Sequence, residues 1–533
     1  MDEGRRGDTE FGTIPGLVRA AAARHGERLA VVDDDVTLSF AGLAARVEQA
    51  ARALAARGVV RGDRVAIWAP NSWQWIVAAL ATHTCGAALV PVNTRFKGEE
   101  AAYVLARSGV RALFTTSDFL GADPVAMLRA SGTPLPALET TVVTNGAVPR
   151  GALGWDAFLA GSEGVTAGLA AARAREVAPD DLSDILFTSG TTGHPKGVKC
   201  THAQTLRAFR DWSDIVGLEA GDRYLVALPF FHSFGYKAGW LACLMMGATI
   251  HPLAVFDVQA VLARVESARI TVLPGPPSLY QSILALPGGL KHDLSSLRLA
   301  VTGAAAIPVD LVERMRNEIG FSAVLTGYGL TEATGVSTLC RREDDAETIA
   351  TTSGRAIPGV DVRVVGDDGI EVPRGSPGEV VVSGYTVTGG YLDDDVETSS
   401  AIDPAGRLRT GDVGVMDARG YLRITDRKKD MFIVGGFNAY PAEIESVMIQ
   451  HDAIAKVAVV GAPDERLGEV GVAFVVLRPG ARVDESSLVA WSRERMANYK
   501  VPRRVLFVGE LPMNATGKVL KHRLREEVLR PGR

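Results

Sequence analysis

The sequence predicts an α/β protein in which a large N-terminal domain of helix-covered β-sheets precedes a small α+β C-terminal domain. Helical periodicity alternates with short apolar strands through the first half, which indicates parallel sheets covered by helices. After about Gly354, strand patterns alternate with Gly/Pro/Asp turns, which predicts a β-rich subdomain over about 354–425. A charged cluster then precedes a second, shorter α/β pattern. Because few contacts should cross such a connector, we expect domains 1–428 and 429–533.

Each element is predicted from its own pattern of apolar residues. Leu43, Val47, Ala50 and Leu54 recur at helical spacing, which places them on one face of a helix. Short apolar runs bounded by turn residues predict strands. Further helices are predicted at Trp73–Ala81, Glu99–Arg107, Pro441–Ile449 and Ser486–Met496. Strands are predicted at Arg64–Trp68, Ala87–Val92, Ala112–Thr116, Asp184–Phe187, Arg223–Leu228, Ile270–Leu273, Arg298–Thr302, Ala323–Thr326, Val360–Val365, Gly378–Ser383, Val457–Val460 and Val472–Leu477.

Composition and charge exclude several broad classes of protein. The 533 residues are 47% hydrophobic and 22% charged, a balance that can bury a large core and argues against a disordered or fibrous chain. The 57 Lys and Arg residues against 62 Asp and Glu residues give a formal charge of −5. Such a charge provides no general attraction to a polyanion, so we expect no nucleic-acid partner.

Cysteine usage and apolar segments bear on the cellular compartment. Four cysteines lie far apart at positions 85, 200, 243 and 340 without a Cys-x-x-Cys pair, which excludes a zinc ribbon and fits a reducing compartment. The polar N-terminus lacks the apolar core of a secretion signal. The apolar stretches Trp75–Val92 and Ala238–Phe256 contain turn formers, which favours buried elements over membrane spans. We therefore expect a cytoplasmic protein with no membrane span.

The strongest local signal is a segment rich in hydroxyls and glycines, Phe187-Thr-Ser-Gly-Thr-Thr-Gly-His-Pro-Lys-Gly-Val198. Glycines let backbone N–H groups approach phosphate oxygens, hydroxyls donate further hydrogen bonds, and Lys196 adds positive charge. The spacing is not that of a Walker A loop, so P-loop phosphoryl transfer is not supported. On composition alone, the alternative interpretation is a polar surface loop.

Further motifs follow that segment in order along the chain. They are Phe231-His-Ser-Phe-Gly235, Thr302-Gly-Ala-Ala-Ala-Ile-Pro308, Gly327-Tyr-Gly-Leu-Thr-Glu332, Arg409-Thr-Gly-Asp412, Asp426-Arg-Lys-Lys-Asp430 leading into Gly435-Gly-Phe-Asn438, and Leu511-Pro-Met-Asn-Ala-Thr-Gly-Lys518. Together the motifs resemble those of the adenylate-forming superfamily, which contains acyl-CoA synthetases, aryl-CoA ligases, luciferases and peptide-synthetase adenylation domains. The resemblance covers nearly the whole chain and implies the adenylate-forming enzyme fold.

The resemblance implies a reaction in two steps. A carboxylate joins the α-phosphorus of ATP with release of pyrophosphate, and a thiol then takes the acyl group with release of AMP. In the superfamily the small C-terminal domain is mobile and rotates between the steps about a hinge, which maps to Lys429. Lys518 would contact the carboxylate and the α-phosphate, and Gly435 and Gly436 would bind CoA at the pantetheine channel.

The same resemblance implies a nucleotide site. Glu332, with the hydroxyl of Thr188 nearby, would hold Mg²⁺, which prefers oxygen ligands. Asp412 and Arg427 would contact the ribose, and Tyr328 offers a stacking face for adenine. The residues implied to bind ATP or AMP are Thr188, Ser189, Gly190, Thr191, Thr192, Lys196, Gly303, Ala304, Ala305, Gly327, Tyr328, Gly329, Thr331, Asp412, Arg427 and Lys518.

Several of these residues also have a plainer interpretation. Taken alone, Glu332 is equally a helix N-terminal acid, Lys518 a solvated lysine, and Asp412 part of a turn. His232 among aromatic residues would be a satisfied core histidine. The resemblance instead places His232 at the acyl pocket. It also implies that His232, Lys518, Glu332 and Thr188 are the catalytic residues. The acyl pocket that it implies consists of His232, Phe234, Ala238, Gly239, Gly303 and Gly335.

These features predict an ATP-dependent carboxylate–CoA ligase that uses a small-molecule carboxylic acid, ATP, CoA and Mg²⁺. Ile433 stands where plant aryl-CoA ligases carry a phosphate-contacting lysine, which disfavours an aryl acid. Segments 93–97 and 234–240 resemble actinobacterial ligases for bulky alicyclic, steroid- or terpenoid-type acids. Segment 389–395 departs from the usual Asn/Asp-Pro-Glu pattern of the superfamily. Two alternatives stay open: a single half-reaction, and adenylation followed by transfer to a carrier-protein thiol. A homodimer is a possible assembly.

Overall fold

The computed structural model describes residues 6–188, 195–286, 291–303, 307–366, 368–427, 432–439, 441–512 and 519–529. Within these residues the strands are β1 (Leu29–Asp33), β2 (Val36–Ser39), β3 (Arg64–Trp68), β4 (Ala88–Pro91), β5 (Ala112–Thr115), β6 (Thr140–Val143), β7 (Leu153–Gly154), β8 (Leu182–Thr188), β9 (Lys196–Thr201), β10 (Arg223–Val226), β11 (Thr249–Pro252), β12 (Leu299–Gly303), β13 (Ala323–Tyr328), β14 (Thr338–Leu339), β15 (Arg355–Ala356), β16 (Val360–Val365), β17 (Pro377–Gly384), β18 (Leu408–Met416), β19 (Leu422–Arg427), β20 (Phe432–Val434), β21 (Phe437–Ala439), β22 (Ile454–Asp464), β23 (Gly468–Leu477) and β24 (Arg504–Phe507).

Helices connect most of these strands. The α-helices are α1 (Gly7–Phe11), α2 (Ile14–His25), α3 (Phe40–Ala56), α4 (Trp73–Thr84), α5 (Gly98–Ser108), α6 (Pro124–Ala130), α7 (Trp155–Ala160), α8 (Ala167–Glu176), α9 (His202–Val216), α10 (Ser233–Gly235), α11 (Ala242–Met246), α12 (Val258–Ala268), α13 (Pro277–Leu284), α14 (Val309–Arg314), α15 (Ala346–Thr351), α16 (Asp395–Ala401), α17 (Pro441–Met448), α18 (Glu485–Arg495) and α19 (Lys521–Leu529). Short 3₁₀-helices are Gly161–Gly164 and Thr331–Ala333, and π-helical segments are Tyr236–Leu241 and Met315–Ile319.

The first sheet has seven strands in the order β7-β6-β5-β3-β4-β8-β9. All neighbours are parallel except β8 and β9, which form an antiparallel pair. Helix α3 begins at the cap Ser39, whose hydroxyl accepts a hydrogen bond from Gly42 N, and it buries Leu43, Val47 and Leu54. The predicted parallel sheet covered by helices is confirmed.

Two four-stranded sheets follow, in the orders β10-β11-β1-β2 and β12-β13-β14-β15. The predicted strand Ile270–Leu273 is wrong as a regular strand, because only Val272 forms bridges, one to Tyr224 and one to Leu299. Pro274, which has no N–H to donate, interrupts the pattern, and Leu273 N and Gly275 N donate on either side of it to the carbonyl oxygens of Leu299 and Val301. The extended residue Val272 nevertheless joins β10 to β12, so both sheets are continuous through this point.

The remaining sheets lie in the last third of the chain. Strands β16-β17-β18-β19 form an antiparallel sheet, as predicted for the β-rich region. The order β21-β20-β23-β22, with β24 beside β23, forms the C-terminal sheet. Strands β22 and β23 are longer than predicted, because they continue through the pair Gly461 and Gly471, where the prediction ended. The side chain of Phe432 occupies the space that side chains at these two positions would need. The predicted boundary at Lys429 lies outside the described residues.

The two apolar stretches considered as membrane spans form helices and strands that are mostly buried. Trp75–Val92 forms most of α4 and then β4, and Ala238–Phe256 contains a π-helical segment, α11 and β11. Among the described residues, we find no helix of the length and apolar character that spanning a membrane requires. All four cysteines are buried free thiols.

Candidate functional site

Thr188 and Lys196 lie at the two ends of the hydroxyl-rich segment and face each other. They end β8 and begin β9, and they form the last pair of that antiparallel ladder. The ladder therefore places the hydroxyl of Thr188 and the ammonium group of Lys196 at the point where the two strands stop pairing. Four predicted phosphate-binding residues lie outside the described residues: Ser189, Gly190, Thr191 and Thr192.

Glu332 lies next to Thr188, as the sequence predicts. The Thr188 hydroxyl donates to Glu332 Oε1 at 3.3 Å, and the Tyr391 hydroxyl donates to the same oxygen at 3.1 Å. Backbone also fixes this position, because Thr388 N donates to the Glu332 carbonyl oxygen at 2.9 Å. A carboxylate beside a hydroxyl suits Mg²⁺, which takes few protein ligands and keeps water or phosphate oxygens. In the described parts of the chain no cluster of three or more His, Cys, Asp or Glu residues forms a closed metal cage.

Lys196 is held by residues that the sequence analysis did not name. Its Nζ lies 2.6 Å from Glu397 Oε2 and 5.3 Å from the centre of the Tyr391 ring. The side chain of Lys196 is only 11% exposed, so this charge is largely shielded from water. Glu397 lies in the first turn of α16, which Asp394 caps by accepting from Glu397 N. Glu397 lies outside segment 389–395, so the departure of that segment from the superfamily pattern does not identify this contact.

Glycines at the predicted adenine site, near the ends of β12 and β13, lie in positions that have no room for a side chain. Gly303 pairs with Gly327 at the ends of these parallel strands. A Cβ on Gly327 would lie 2.7 Å from Leu339 Cδ1, and one on Gly329 would lie 2.3 Å from the carbonyl oxygen of Gly335. Side chains at these positions would therefore displace the backbone. Ala304 and Ala305 lie outside the described residues, and Thr331 begins a short 3₁₀-helix.

The predicted stacking and ribose residues are joined directly. The Tyr328 hydroxyl donates to Asp412 Oδ2 at 2.6 Å, and Asp412 is only 4% exposed. Asp412 pairs with Arg427 across β18 and β19, so the two predicted ribose residues are neighbours in the ladder. The Asp412 amide donates to the Thr410 hydroxyl at 3.1 Å, which helps to fix the turn before it. The structure thus brings Tyr328, Asp412 and the backbone of Arg427 together.

His232 is exposed, so the interpretation of this residue as a core histidine is wrong. The surrounding protein nevertheless desolvates the imidazole and lowers its pKa. Phe234 N donates to His232 Nδ1 at 3.2 Å, which leaves the proton of the neutral ring on Nε2. His232 therefore presents a hydrogen-bond donor to the solvent side and is a poor candidate for a general base.

The other predicted acyl-pocket residues lie at different depths behind His232. Gly335 has φ of +104°, and a Cβ there would lie 3.2 Å from Ser233 Oγ, so this glycine packs directly against the neighbour of His232. Phe234 is partly buried, whereas Ala238 is 2% exposed and belongs to the core. At Gly239 the backbone departs from helical angles, and a Cβ would lie 3.0 Å from Val226 Cγ1.

A buried ion pair that the sequence analysis missed anchors this π-helical segment. Lys237 Nζ lies 2.9 Å from Asp184 Oδ1, and both side chains are 0% exposed. The Ser183 hydroxyl donates to Asp184 Oδ2 at 2.7 Å. Because a buried charge requires a partner, the pair ties the segment after His232 to β8, the strand that ends at Thr188.

Gly435 and Gly436 form the turn between β20 and β21. Their φ angles of +55° and +83° lie in the region that favours glycine. A Cβ on Gly436 would lie 3.7 Å from Pro276 Cβ, so the turn of the C-terminal sheet rests near the residue before α13. Lys429 and Lys518 both lie outside the described residues.

Comparison with known families agrees with this geometry. A family model for the AMP-binding enzyme matches residues 18–392, and a model for the AMP-binding enzyme C-terminal domain matches residues 443–518. The chain belongs to the AMP-binding enzymes, and its resemblance to the adenylate-forming superfamily is confirmed.

One similar protein and two similar solved structures are named for a CoA ligase or synthetase activity or for bound ATP. A Rhodococcus jostii protein named 3-[(3aS,4S,7aS)-7a-methyl-1,5-dioxo-octahydro-1H-inden-4-yl]propanoyl:CoA ligase is 51% identical over 518 residues, covering 97% of this chain and 98% of the relative. The o-succinylbenzoate CoA synthetase of Bacillus subtilis, bound to a product analogue, has a TM-score of 0.80 at 28% identity, covering 96% and 98% of the two chains. ATP-bound MatB of Rhodopseudomonas palustris has a TM-score of 0.69 at 31% identity, covering 97% and 99%.

Proposed function

We propose that this chain is an ATP-dependent carboxylate–CoA ligase. It forms an acyl-adenylate with release of pyrophosphate, and then an acyl-CoA thioester with release of AMP. The observation that carries this proposal is that Glu332, Thr188 and Lys196 lie together where β8 ends and β9 begins. An acid, a hydroxyl and a cation there suit a metal-bound triphosphate. The family match and the named CoA ligase at 51% identity support the same reaction.

The first half-reaction joins two anions, so its site needs cations and donors. Lys196 would bind the outer phosphates, and Asp412 would accept hydrogen bonds from ribose hydroxyls. Glu332 and the Thr188 hydroxyl would hold Mg²⁺, which would neutralise phosphate charge. The Nε2–H of His232 would donate to the substrate carboxylate and orient it. Lys518 would supply the charge at the carboxylate and α-phosphate as the new bond forms.

The second half-reaction needs a path for the thiol. The turn at Gly435 and Gly436 would border that path, since a turn without side chains leaves room for a pantetheine arm. Rotation about Lys429 would then bring Lys518 in for the first half-reaction.

The substrate we propose is a bulky alicyclic acid of steroid or terpenoid type. The Rhodococcus jostii relative is named for a propanoic acid carried on a methylated, dioxygenated bicyclic ring system. Identity of 51% over nearly the full length of both chains supports a similar acid here. Gly335 packs against Ser233 and Phe209 so closely that a Cβ would lie 3.2 Å from Ser233 Oγ, so this position beside the predicted acyl pocket requires glycine.

A cytoplasmic location completes the proposal. Four buried free thiols suit a reducing compartment. Light scattering of the purified chain would test the proposed homodimer by measuring its mass in solution.

The decisive experiment supplies a panel of carboxylic acids with ATP and Mg²⁺, with and without CoA. Liquid chromatography then measures AMP release and thioester formation. We expect thioester formation to be fastest with the bicyclic propanoic acid of the relative and slow with acetate or linear fatty acids. Preference for a linear acid would overturn the proposed substrate. If AMP is released with CoA but no thioester forms, and a thioester forms when a holo-carrier protein replaces CoA, the assignment of free CoA as acceptor would be overturned.

A further inference from the structure

One buried lysine binds two carboxylates that come from distant parts of the chain. Lys500 Nζ lies 2.7 Å from Glu100 Oε1 and 2.6 Å from Glu443 Oε1. Glu100 belongs to the first turn of α5, beside the seven-stranded sheet, whereas Glu443 belongs to α17, beside the C-terminal sheet. Lys500 is 1% exposed and follows α18. The Glu100–Lys500 bond therefore connects the N-terminal region to the C-terminal region.

Aromatic contacts surround this bond and continue to the glycine turn. The rings of Phe437 and Tyr499 stack with centres 4.9 Å apart, and the Arg95 guanidinium lies 4.3 Å from the Phe437 ring centre. The Lys500 ammonium lies 4.5 Å from the ring centre of Phe96. Phe437 directly follows Gly436 in sequence. The contacts of Phe437, Tyr499, Arg95 and Phe96 thus lie next to the Gly435–Gly436 turn, which faces Pro276.

The two ion pairs of Lys500, with Glu100 and with Glu443, differ in how they respond to a rotation of the C-terminal region. Burial raises the pKa of Glu100, although Lys500 opposes that shift. Glu443 and Lys500 belong to the same region, so their bond persists however the C-terminal region is oriented. Glu100 is the partner that separates if that region rotates. A buried ammonium that loses one of two carboxylates is less stable, so the bond favours the present arrangement.

We propose that Glu100 is a positioning residue for thioester formation, because its bond to Lys500 holds the Gly435–Gly436 turn against the N-terminal region. This inference rests on the proposed function. In the proposed reaction Glu100 touches no reacting atom and acts only through its bond to Lys500. If the first half-reaction requires another orientation, loss of the bond leaves that step intact.

The test is Glu100→Gln, assayed separately in each half-reaction. Glutamine keeps the shape and can still accept from Lys97 N, which now donates to Glu100 Oε2 at 2.9 Å, so the start of α5 is preserved. Thioester formation from CoA and the synthetic acyl-adenylate of the bicyclic propanoic acid should fall about tenfold. Acid-dependent pyrophosphate exchange should stay within about twofold of wild type, because that assay does not require the bond.

Two further variants separate positioning from mere stability. Glu99→Gln removes the same charge from the adjacent, exposed position and should leave both rates unchanged. Glu100→Asp keeps the charge and should recover part of the lost thioester rate. Equal loss in both half-reactions, or no loss in either, would overturn the role of Glu100. A wild-type chain that forms no thioester from the supplied adenylate would overturn the proposed function itself.

Discussion

The ammonium group of Lys196 lies 2.6 Å from Oε2 of Glu397. Thus the lysine that is expected to bind phosphate already has a carboxylate partner, and the triphosphate must replace or share it. Glu397 is itself 28% exposed, so the pair is partly screened and contributes on the order of 1 kcal/mol or less.

Removing the competing carboxylate should therefore strengthen nucleotide binding. We expect Glu397→Gln to lower the KM for ATP about threefold in acid-dependent pyrophosphate exchange, with little change in the KM for the acid. Asp395→Asn removes an exposed charge from the same turn of α16 and serves as the control. A higher KM for ATP in Glu397→Gln would mean that Glu397 orients Lys196 rather than competing for it.

The hydroxyl of Tyr391 should matter for metal use. It donates to Glu332 Oε1 at 3.1 Å, and Thr188 donates to the same oxygen. Because a hydrogen bond to a carboxylate orients it, Tyr391→Phe should raise the Mg²⁺ concentration required for half-maximal activity about three- to tenfold.

The control for that experiment is another tyrosine–carboxylate bond in a different place. Tyr385 donates to Asp211 Oδ2 at 2.6 Å, and Tyr385→Phe should leave the Mg²⁺ requirement unchanged. A titration of pyrophosphate exchange against Mg²⁺ at fixed ATP measures both variants. An equal shift in the two would assign the effect to general destabilisation.

Sequence patterns predict most of the fold because each pattern is local. Apolar spacing predicts α3, and turn-bounded apolar runs predict β3 and β16 at the bounds that the structure has. The strand predicted at 270–273 fails because pairing depends on neighbours that a single run does not specify.

The site is only partly predictable for the same reason. Thr188 and Glu332 are identified through a motif resemblance, and the structure brings them together. The bond between Lys500 and Glu100 joins residues 400 positions apart, and no local pattern encodes that contact. Lys237 and Asp184 are likewise ordinary charged residues in sequence, and only the fold buries both.

Acid should destabilise the chain partly through His251. This residue is 3% exposed, and desolvation, with Arg264 and Arg223 nearby, lowers its pKa from 6.5 to about 4. The unfolded chain binds the proton more readily than the folded chain. The contribution of neutral His251 to the free energy of unfolding is therefore complete above pH 6.5 and is lost as the pH falls toward 4. At pH 5 the loss is about 2 kcal/mol.

Replacement by a side chain that does not titrate should remove that part of the acid sensitivity. We expect His251→Leu to lose less unfolding free energy than wild type between pH 7 and pH 5, by up to about 2 kcal/mol. Urea unfolding at several pH values measures the difference. His202, whose pKa is lowered to about 3 by burial, acts in the same direction and keeps some acid sensitivity in the variant. Parallel stability curves for variant and wild type would contradict the prediction.

Lys518 should act in the first half-reaction far more than in the second. Its charge is proposed to stabilise the bond between carboxylate and α-phosphate, and thioester formation from a supplied adenylate begins after that bond exists. We expect Lys518→Ala to reduce pyrophosphate exchange by about 100-fold or more and thioester formation by less than about threefold. Lys456→Ala, at an exposed position of β22, is the control. Equal losses in both steps would remove the proposed role.

The Gly435–Gly436 turn should be sensitive to a single methyl group in the thioester step. Gly436 has φ of +83°, and a Cβ there would lie 3.7 Å from Pro276 Cβ, in the space proposed for the thiol arm. Alanine at such a φ costs about 1 kcal/mol of stability. Gly480 has φ of +79° with no atom within 4 Å of a built Cβ, so Gly480→Ala has the same strain without the contact.

The two variants together separate strain from obstruction. Both should lose similar stability in thermal unfolding. Only Gly436→Ala should slow thioester formation from supplied acyl-adenylate, by about fivefold, because its methyl group would enter the path proposed for the pantetheine arm. Its pyrophosphate exchange should match that of Gly480→Ala, since adenylation does not use this path. If Gly436→Ala and Gly480→Ala form thioester at the same rate, the path for the thiol does not run between this turn and Pro276.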